Sequence, residues 1–201
     1  VMLFTQRKNL EIDNCEVFGW SDAAIGIAGT NSADMKTGGY IHHNYIHHNQ
    51  MAGLGYGVVL SNGGVALIEA NYFDYCRHAI AGTGQAGVGY EARYNICGPN
   101  WVSTSPHQFD MHGITGGSGA TAGDTIKIYH NTFMGMTAEM PTCIAIRGIP
   151  CDGAYIFNNW FYFTNSAPVW QKFVYGNVYM TNNMIGLDKR LSAKGPILIY
   201  E

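Results

Sequence analysis

Ile128-Tyr129-His130-Asn131-Thr132-Phe133 carries the pattern that decides the fold: a short alternating run that ends on Asn, then one residue, then a large apolar one. The phrase returns as Ile41-His42-His43-Asn44-Tyr45-Ile46, Ile68-Glu69-Ala70-Asn71-Tyr72-Phe73 and Ala92-Arg93-Tyr94-Asn95-Ile96-Cys97. Two further copies are Ile156-Phe157-Asn158-Asn159-Trp160-Phe161 and Met180-Thr181-Asn182-Asn183-Met184-Ile185, and a weaker first copy surrounds Asp13 or Asn14. From Asn44 onward the Asn-to-Asn spacings are 27, 24, 36, 28 and 24, as expected when a fixed coil carries loops of variable length. Asn suits a sharp bend because it tolerates left-handed backbone angles, and its amide can hydrogen-bond the equivalent Asn of the next coil. The column Asn44, Asn71, Asn95, Asn131, Asn159 and Asn183 is therefore read as architecture.

Between these copies lies a second phrase, seen in Ile25-Gly26-Ile27-Ala28-Gly29, Val58-Val59-Leu60-Ser61-Asn62 and His78-Ala79-Ile80-Ala81-Gly82. It recurs in Phe109-Asp110-Met111-His112-Gly113 and Ile144-Ala145-Ile146-Arg147-Gly148. Period-2 alternation sends Ile27, Leu60, Ile80, Met111 and Ile146 to one face and Ala28, Ser61, Ala81, His112 and Arg147 to the other. The first set is the expected core. Coils stacked at about 4.8 Å need bury their apolar faces only against their neighbours. The expectation is an all-β parallel solenoid of about seven coils, one domain over residues 1–201, with almost no helix.

Composition narrows the partners. Charged residues make up 12% of the chain and the formal net charge is -3, so no basic surface is available to neutralise phosphates, and nucleic acid is excluded as a partner. Apolar runs such as Val58-Val59-Leu60 are too short to span a bilayer, and no transmembrane segment is expected. The chain opens mid-pattern at Val1-Met2-Leu3-Phe4, which suggests a processed protein, part of a longer chain, or a member of an assembly such as a homo-oligomer or filament. The five cysteines form no CxxC pair, so a zinc ribbon is excluded; Cys143 and Cys151 flank a short loop and could form a disulfide.

An Asn ladder at a tight bend, with a third strand set off by longer loops, resembles the single-stranded right-handed parallel β-helix superfamily of pectate lyases and their relatives. Within it, Tyr40 to Gly57, Tyr90-Glu91-Ala92-Arg93-Tyr94-Asn95 and His107-Gln108-Phe109-Asp110-Met111-His112-Gly113 resemble the β-helix modules of secreted or surface proteins of archaea and bacteria, with disaggregatase-like enzymes as a further relation. The resemblance implies a secreted or cell-surface protein that binds or cleaves polysaccharide. It also implies that catalytic residues project outward from the first strand of each coil. Calcium is the cofactor it would bring, but the family's aspartate set and usual motifs are absent from this sequence, and no metal ligand is assigned.

On that outward face Asp110, His112 and Arg147 should converge, because Asp110 and His112 share a face and Arg147 lies one coil from His112. A lyase needs a base for the proton alpha to a carboxylate and a cation for the charge that develops, and histidine and arginine suit those tasks. The expected catalytic set is thus Asp110, His112, Arg147 and His107, with Arg147 gripping a substrate carboxylate in a bidentate contact and Arg93 or Glu91 at the margin. Glu91, Arg93, Lys127 and Tyr129 form the expected substrate-binding set, although Glu69, Glu91, Arg93 and Lys127 could equally be a solvated charge ladder. Tyr40, Tyr129, Tyr155, Phe157, Tyr179 and Trp170 offer rings for stacking on sugars or for packing. The stretch His42-His43 to His47-His48 invites a metal reading, with His42 and Glu69 the best-placed pair, but adjacent strand residues point to opposite faces. His78 and His107 near strand starts read more simply as hydrogen-bonded structural histidines. Two functions stay open: a carbohydrate-active enzyme, most naturally a polysaccharide lyase and less so a glycoside hydrolase, for which a second carboxylate such as Glu91 or Asp124 would have to reach in; or a non-catalytic surface or filament module.

Overall fold

A computed structural model describes residues 3–100, 107–114, 120–134, 142–162, 169–171 and 176–186. Among these residues, twenty-one short strands fall into three parallel sheets of seven, which the chain visits in strict rotation. Each turn of the rotation is one coil, and every strand pairs with its equivalent in the neighbouring coils, those of the first and last described coils on one side only. The expectation of an all-β parallel arrangement holds, and the three parallel sheets are compatible with a parallel β-solenoid. The one helix among the described residues is the single turn Met35–Gly38, whose start is capped by the Asp34 carboxylate accepting from the Thr37 N–H at 2.7 Å.

The corner between the second and third sheets is held by the Asn column. Each of Asn44, Asn71, Asn95, Asn131 and Asn159 donates its Nδ2 to the Oδ1 of the next Asn, at 3.0 to 3.1 Å. The same Nδ2 donates to a carbonyl one coil back, Ile12 for Asn44 and Ile68 for Asn95, at 2.9 Å. Each Oδ1 in turn accepts a main-chain N–H from the coil before, as when the Asn71 N–H meets Asn95 Oδ1 at 3.0 Å. The left-handed conformation falls one residue earlier than expected. It is carried by His43, Ala70, Tyr94, His130, Asn158 and Asn182, with φ between 53° and 56°, while the ladder Asn itself immediately precedes the next strand. The same alignment corrects the first copy: Asn14 takes the left-handed slot at φ 51°, and the Cys15 N–H donates to Asn44 Oδ1 at 3.0 Å, so Cys15 heads the ladder.

The core lies inside the three sheets. In the first sheet Ile25, Val58, Ile80, Phe109 and Ile144 stack in register, and Ile27, Leu60, Gly82, Met111 and Ile146 form the row beside them. Ile80 was expected in the second row, two residues away; Gly82 holds that place instead, and a Cβ there would come within 2.6 Å of Met111 Sδ, so the long Met111 side chain fills the space that Gly82 leaves. In the third sheet Phe73, Cys97, Phe133 and Phe161 stack inward, with the Phe133 and Phe161 rings 4.9 Å apart. The five cysteines are free; Cys143 is buried and Cys151 exposed, so the disulfide considered between them does not form. No helix among the described residues is long and apolar enough to cross a membrane.

The ladder can be tested against its neighbour. Asn95→Ala leaves two main-chain groups and two amides of adjacent coils without buried partners and should cost about 3 kcal/mol in urea unfolding. Ala70→Gly, at a left-handed position, should leave stability unchanged or raise it by up to about 1 kcal/mol. The reverse ranking would place the strain and the bonding at the wrong residues.

Candidate functional site

Asp110 stands at the centre of the strand Phe109–Met111 in the first sheet, fully buried although it lies on the sheet's outer side. Its neighbours in the outward column are Ala81 and Ala145. Those two small residues leave room over the carboxylate, and longer side chains converge on it from three directions. Arg147 donates Nε to Oδ1 at 3.0 Å and Nη2 to Oδ2 at 2.5 Å. His112 places Nε2 at 2.7 Å from Oδ2. His107 and His78 bring their Nε2 atoms to 3.5 and 3.7 Å from the same oxygen.

The convergence of Asp110, His112 and Arg147 expected from alternation and coil pitch is therefore present, with His107 beside it. One expected contact is different. Arg147 spends its bidentate edge on Asp110, and only Nη1 is left to face a ligand, so Arg147 cannot clamp a substrate carboxylate with both arms while this pair is closed. Glu91 and Arg93, expected at the margin, lie on the second sheet.

His78 joins the group although simple alternation sends it inward. The reason is a bulged strand start: the Ala79 and Ile80 N–H groups both donate to the Gln108 carbonyl, and the Gln108 and Phe109 N–H groups both donate to the Cys143 carbonyl. Each doubled donation marks an irregular strand start that breaks the alternation, so the preceding side chain lies on the outer face without any change of register between coils. His78 and His107 thus emerge on the same side as Asp110, with ring centroids 4.5 Å apart and planes within 14°, and Tyr56 continues the stack 5.5 Å from His78. Laying His78-Ala79-Ile80-Ala81 over His107-Gln108-Phe109-Asp110, histidine on histidine, would have given the observed pairing directly.

Electrostatics follow from burial. Desolvation alone would push the Asp110 carboxyl up, but the His107 and His112 rings beside it outweigh that and hold it well below the usual carboxylate range. His78 is pressed down to about 3, first by burial and then by His107, so it is neutral at ordinary pH. Its Nδ1 lies 2.8 Å from the His107 carbonyl oxygen, the structural bond expected of it. His107 departs from that expectation: it is 8% exposed, and neither ring nitrogen has a hydrogen-bond partner.

The expected substrate-binding set forms a second cluster on the second sheet. Arg93 donates to Glu69 at 3.0 Å, Glu91 at 3.2 Å and the Tyr129 hydroxyl at 3.0 Å; Tyr129 donates to Glu91, and Lys127 lies 3.6 Å from it. Tyr129 stacks on Phe157 at 4.8 Å and Tyr155 on Tyr179 at 5.2 Å. Tyr155 and Tyr179 stay exposed. The structure brings these residues together with one another but not with Asp110. His42 and Glu69 do face each other in register, yet His42 pairs with Glu11 at 2.9 Å and Glu69 with Arg93. Trp170's side chain and residues 115–119 of the glycine-rich loop lie outside the described residues. A groove of about 600 Å³ sits at the Asn corner, lined by Tyr94, His130, Asn158, Trp160, Asn182 and Met184, away from the first sheet.

The two clusters should differ in energetic weight. Asp110→Ala strands the Arg147 cation over a buried cavity and should cost about 3 kcal/mol in chemical unfolding. Glu91→Ala, in a half-exposed network where Arg93 keeps Glu69, should cost about 1 kcal/mol or less. Equal costs would mean that the first-sheet cluster is no more desolvated than a surface ladder. Comparison of the chain with family models, with curated proteins and with solved structures gave no match.

Proposed function

We propose that the protein is a secreted or cell-surface β-helix protein of the right-handed, pectate-lyase-like kind, and that it acts on acidic polysaccharide as a lyase-type enzyme centred on Asp110, His112 and Arg147. The observation that carries this reading is the Asp110 hub. A buried carboxylate fixed by Arg147 takes the His112 Nε2 at 2.7 Å, so a neutral His112 carries its proton there and offers the Nδ1 lone pair outward as a base. His112 is the most exposed member of the group, at 38%, which is where a residue that meets substrate should be. In a uronate polymer that base would remove the proton alpha to the sugar carboxylate, and the bond from the β-carbon to the glycosidic oxygen would break as the double bond forms. Arg147 Nη1 supplies positive charge beside the carboxylate, where negative charge develops.

Hydrolysis has weaker support. Two-carboxylate chemistry needs a partner for Asp110, and no second carboxylate takes part in the ion pairs around it among the described residues. Glu91 is engaged on the second sheet. That second-sheet network favours the alternative of a non-catalytic surface module, since its charges are spent on one another and its exposed Tyr155 and Tyr179 rings suit sugar stacking without chemistry.

The test is incubation with a panel of acidic polysaccharides while following the absorbance of unsaturated products and the release of reducing ends. The lyase reading expects both signals to rise together, and a loss of roughly 100-fold or more in turnover for a folded His112→Ala variant. Reducing ends without unsaturation would indicate hydrolysis. No product from any polymer, or full activity in His112→Ala, would leave the binding module as the reading.

A further inference from the structure

We infer that His78, His107 and Asp110 form a binding site for a single divalent transition-metal ion of the zinc type. This does not rest on the lyase reading, although it uses the same carboxylate oxygen, Oδ2, that His112 meets. The ligand atoms are two imidazole Nε2 atoms and one carboxylate oxygen, all within 4.8 Å of one another, and all three residues are buried. Nε2 of His107 and of His78 stand 3.5 and 3.7 Å from Asp110 Oδ2. Tetrahedral ligands held about 2.1 Å from zinc are about 3.4 Å apart, so the two His–Asp separations already approach those of a metal-centred set.

Protonation agrees with the geometry. The His78 Nδ1 faces the His107 carbonyl oxygen at 2.8 Å, and a carbonyl can only accept, so the proton is on Nδ1 and the Nε2 lone pair is turned toward Asp110. Fixing a ligand histidine through its other nitrogen is the usual way of setting its tautomer at a metal. His107 supplies the independent observation. It is nine-tenths buried with no hydrogen bond to either ring nitrogen, a condition that folded proteins seldom leave uncompensated. Its Nε2 is aimed at the same oxygen, and a bound ion would satisfy it.

Position is also pre-set. His78 and His107 occupy equivalent places on adjacent coils, stacked at 4.5 Å, so the sheet rather than a loop holds their spacing. The donor set selects among cations: two imidazoles and one carboxylate suit zinc, cobalt or nickel, whereas calcium and magnesium need shells of oxygen. Arg147 holds Asp110 Oδ1 through Nε at 3.0 Å and Oδ2 through Nη2 at 2.5 Å, and His112 Nε2 lies 2.7 Å from Oδ2, so the ion competes with both for that oxygen and binds more weakly than at a free carboxylate.

The experiment uses the full chain, stripped with a chelator and titrated with Co(II), then with Zn(II) in competition. One equivalent of Co(II) should bind with visible ligand-field bands and be displaced by zinc but not by calcium or magnesium. His78→Gln and His107→Gln should each lower Co(II) affinity at least 10-fold, while His112→Gln retains it. X-ray absorption of the zinc-loaded wild-type protein should show two imidazole ligands, a readout that needs no variant to fold. Absence of stoichiometric binding, survival of binding in folded His107→Gln, or its loss in His43→Gln or His48→Gln instead would each overturn the assignment. The last outcome would move the ion to the surface pairs His42–His43 and His47–His48.

Discussion

One side-chain amide, repeated six times, sets the frame on which every other feature hangs. A primary amide has two N–H donors and an acceptor oxygen with two lone pairs, and the Asn column uses both kinds in each coil: toward the next Asn, toward a carbonyl behind, and toward a main-chain N–H behind. Because these bonds are buried, a mismatch of one residue would leave several polar groups without water, which is far more costly than the bonds are favourable. The ladder therefore fixes which residue of one coil lies over which residue of the next. Gln would carry the same groups on a longer arm and could not hold both the amide and the adjacent main chain at the coil spacing.

Once that corner is fixed, the first sheet inherits its register and the Asp110 cluster follows. The 36-residue coil between Asn95 and Asn131 absorbs its extra length in loops, so Phe109-Asp110-Met111 still pairs with Ile80-Ala81-Gly82 and Ile144-Ala145-Ile146. Ala81 and Ala145 flank Asp110, and this absence of bulk lets Arg147 and His112 fold back over the carboxylate. The bulged starts then deliver His78 and His107 to the same oxygen. A parallel ladder without the doubled N–H donations would have put both rings in the apolar interior, where neither could meet a carboxylate.

Those same features mark the boundary of what the sequence could reveal. The three-sheet arrangement was legible because period-2 alternation and the Asn phrase recur in nearly every coil, and errors in one copy are corrected by the others. The meeting of Asp110, His112 and Arg147 was legible because it needs only alternation and one coil step. His78 was not, since a bulge breaks the parity rule for the residue just before it and no residue type announces a bulge. Cys15 at the head of the ladder was hidden for a related reason. Its contribution is a main-chain N–H, which every non-proline residue has, so the eye is drawn to Asn14 in the left-handed slot beside it. The bidentate use of Arg147 on Asp110 is a matter of side-chain choice between a partner in the chain and one in solution, and spacing alone cannot decide it.

The cluster also departs from what stability alone would select. A solenoid can be stable with apolar or small residues along its outer column, as Ala81 and Ala145 show on either side of Asp110. Burying a carboxylate there costs desolvation that a surface pair would not incur, and the ion pair with Arg147 offsets only part of it. Two imidazoles brought to the same oxygen without a hydrogen bond between ring and carboxylate add a further unmet demand at His107. On the second sheet the comparable carboxylates keep some exposure to solvent, share donors and acceptors, and leave little unbalanced. The contrast sets the first sheet apart: Asp110 is the one group that every member of the cluster addresses, which is why both proposals made for this chain centre on it.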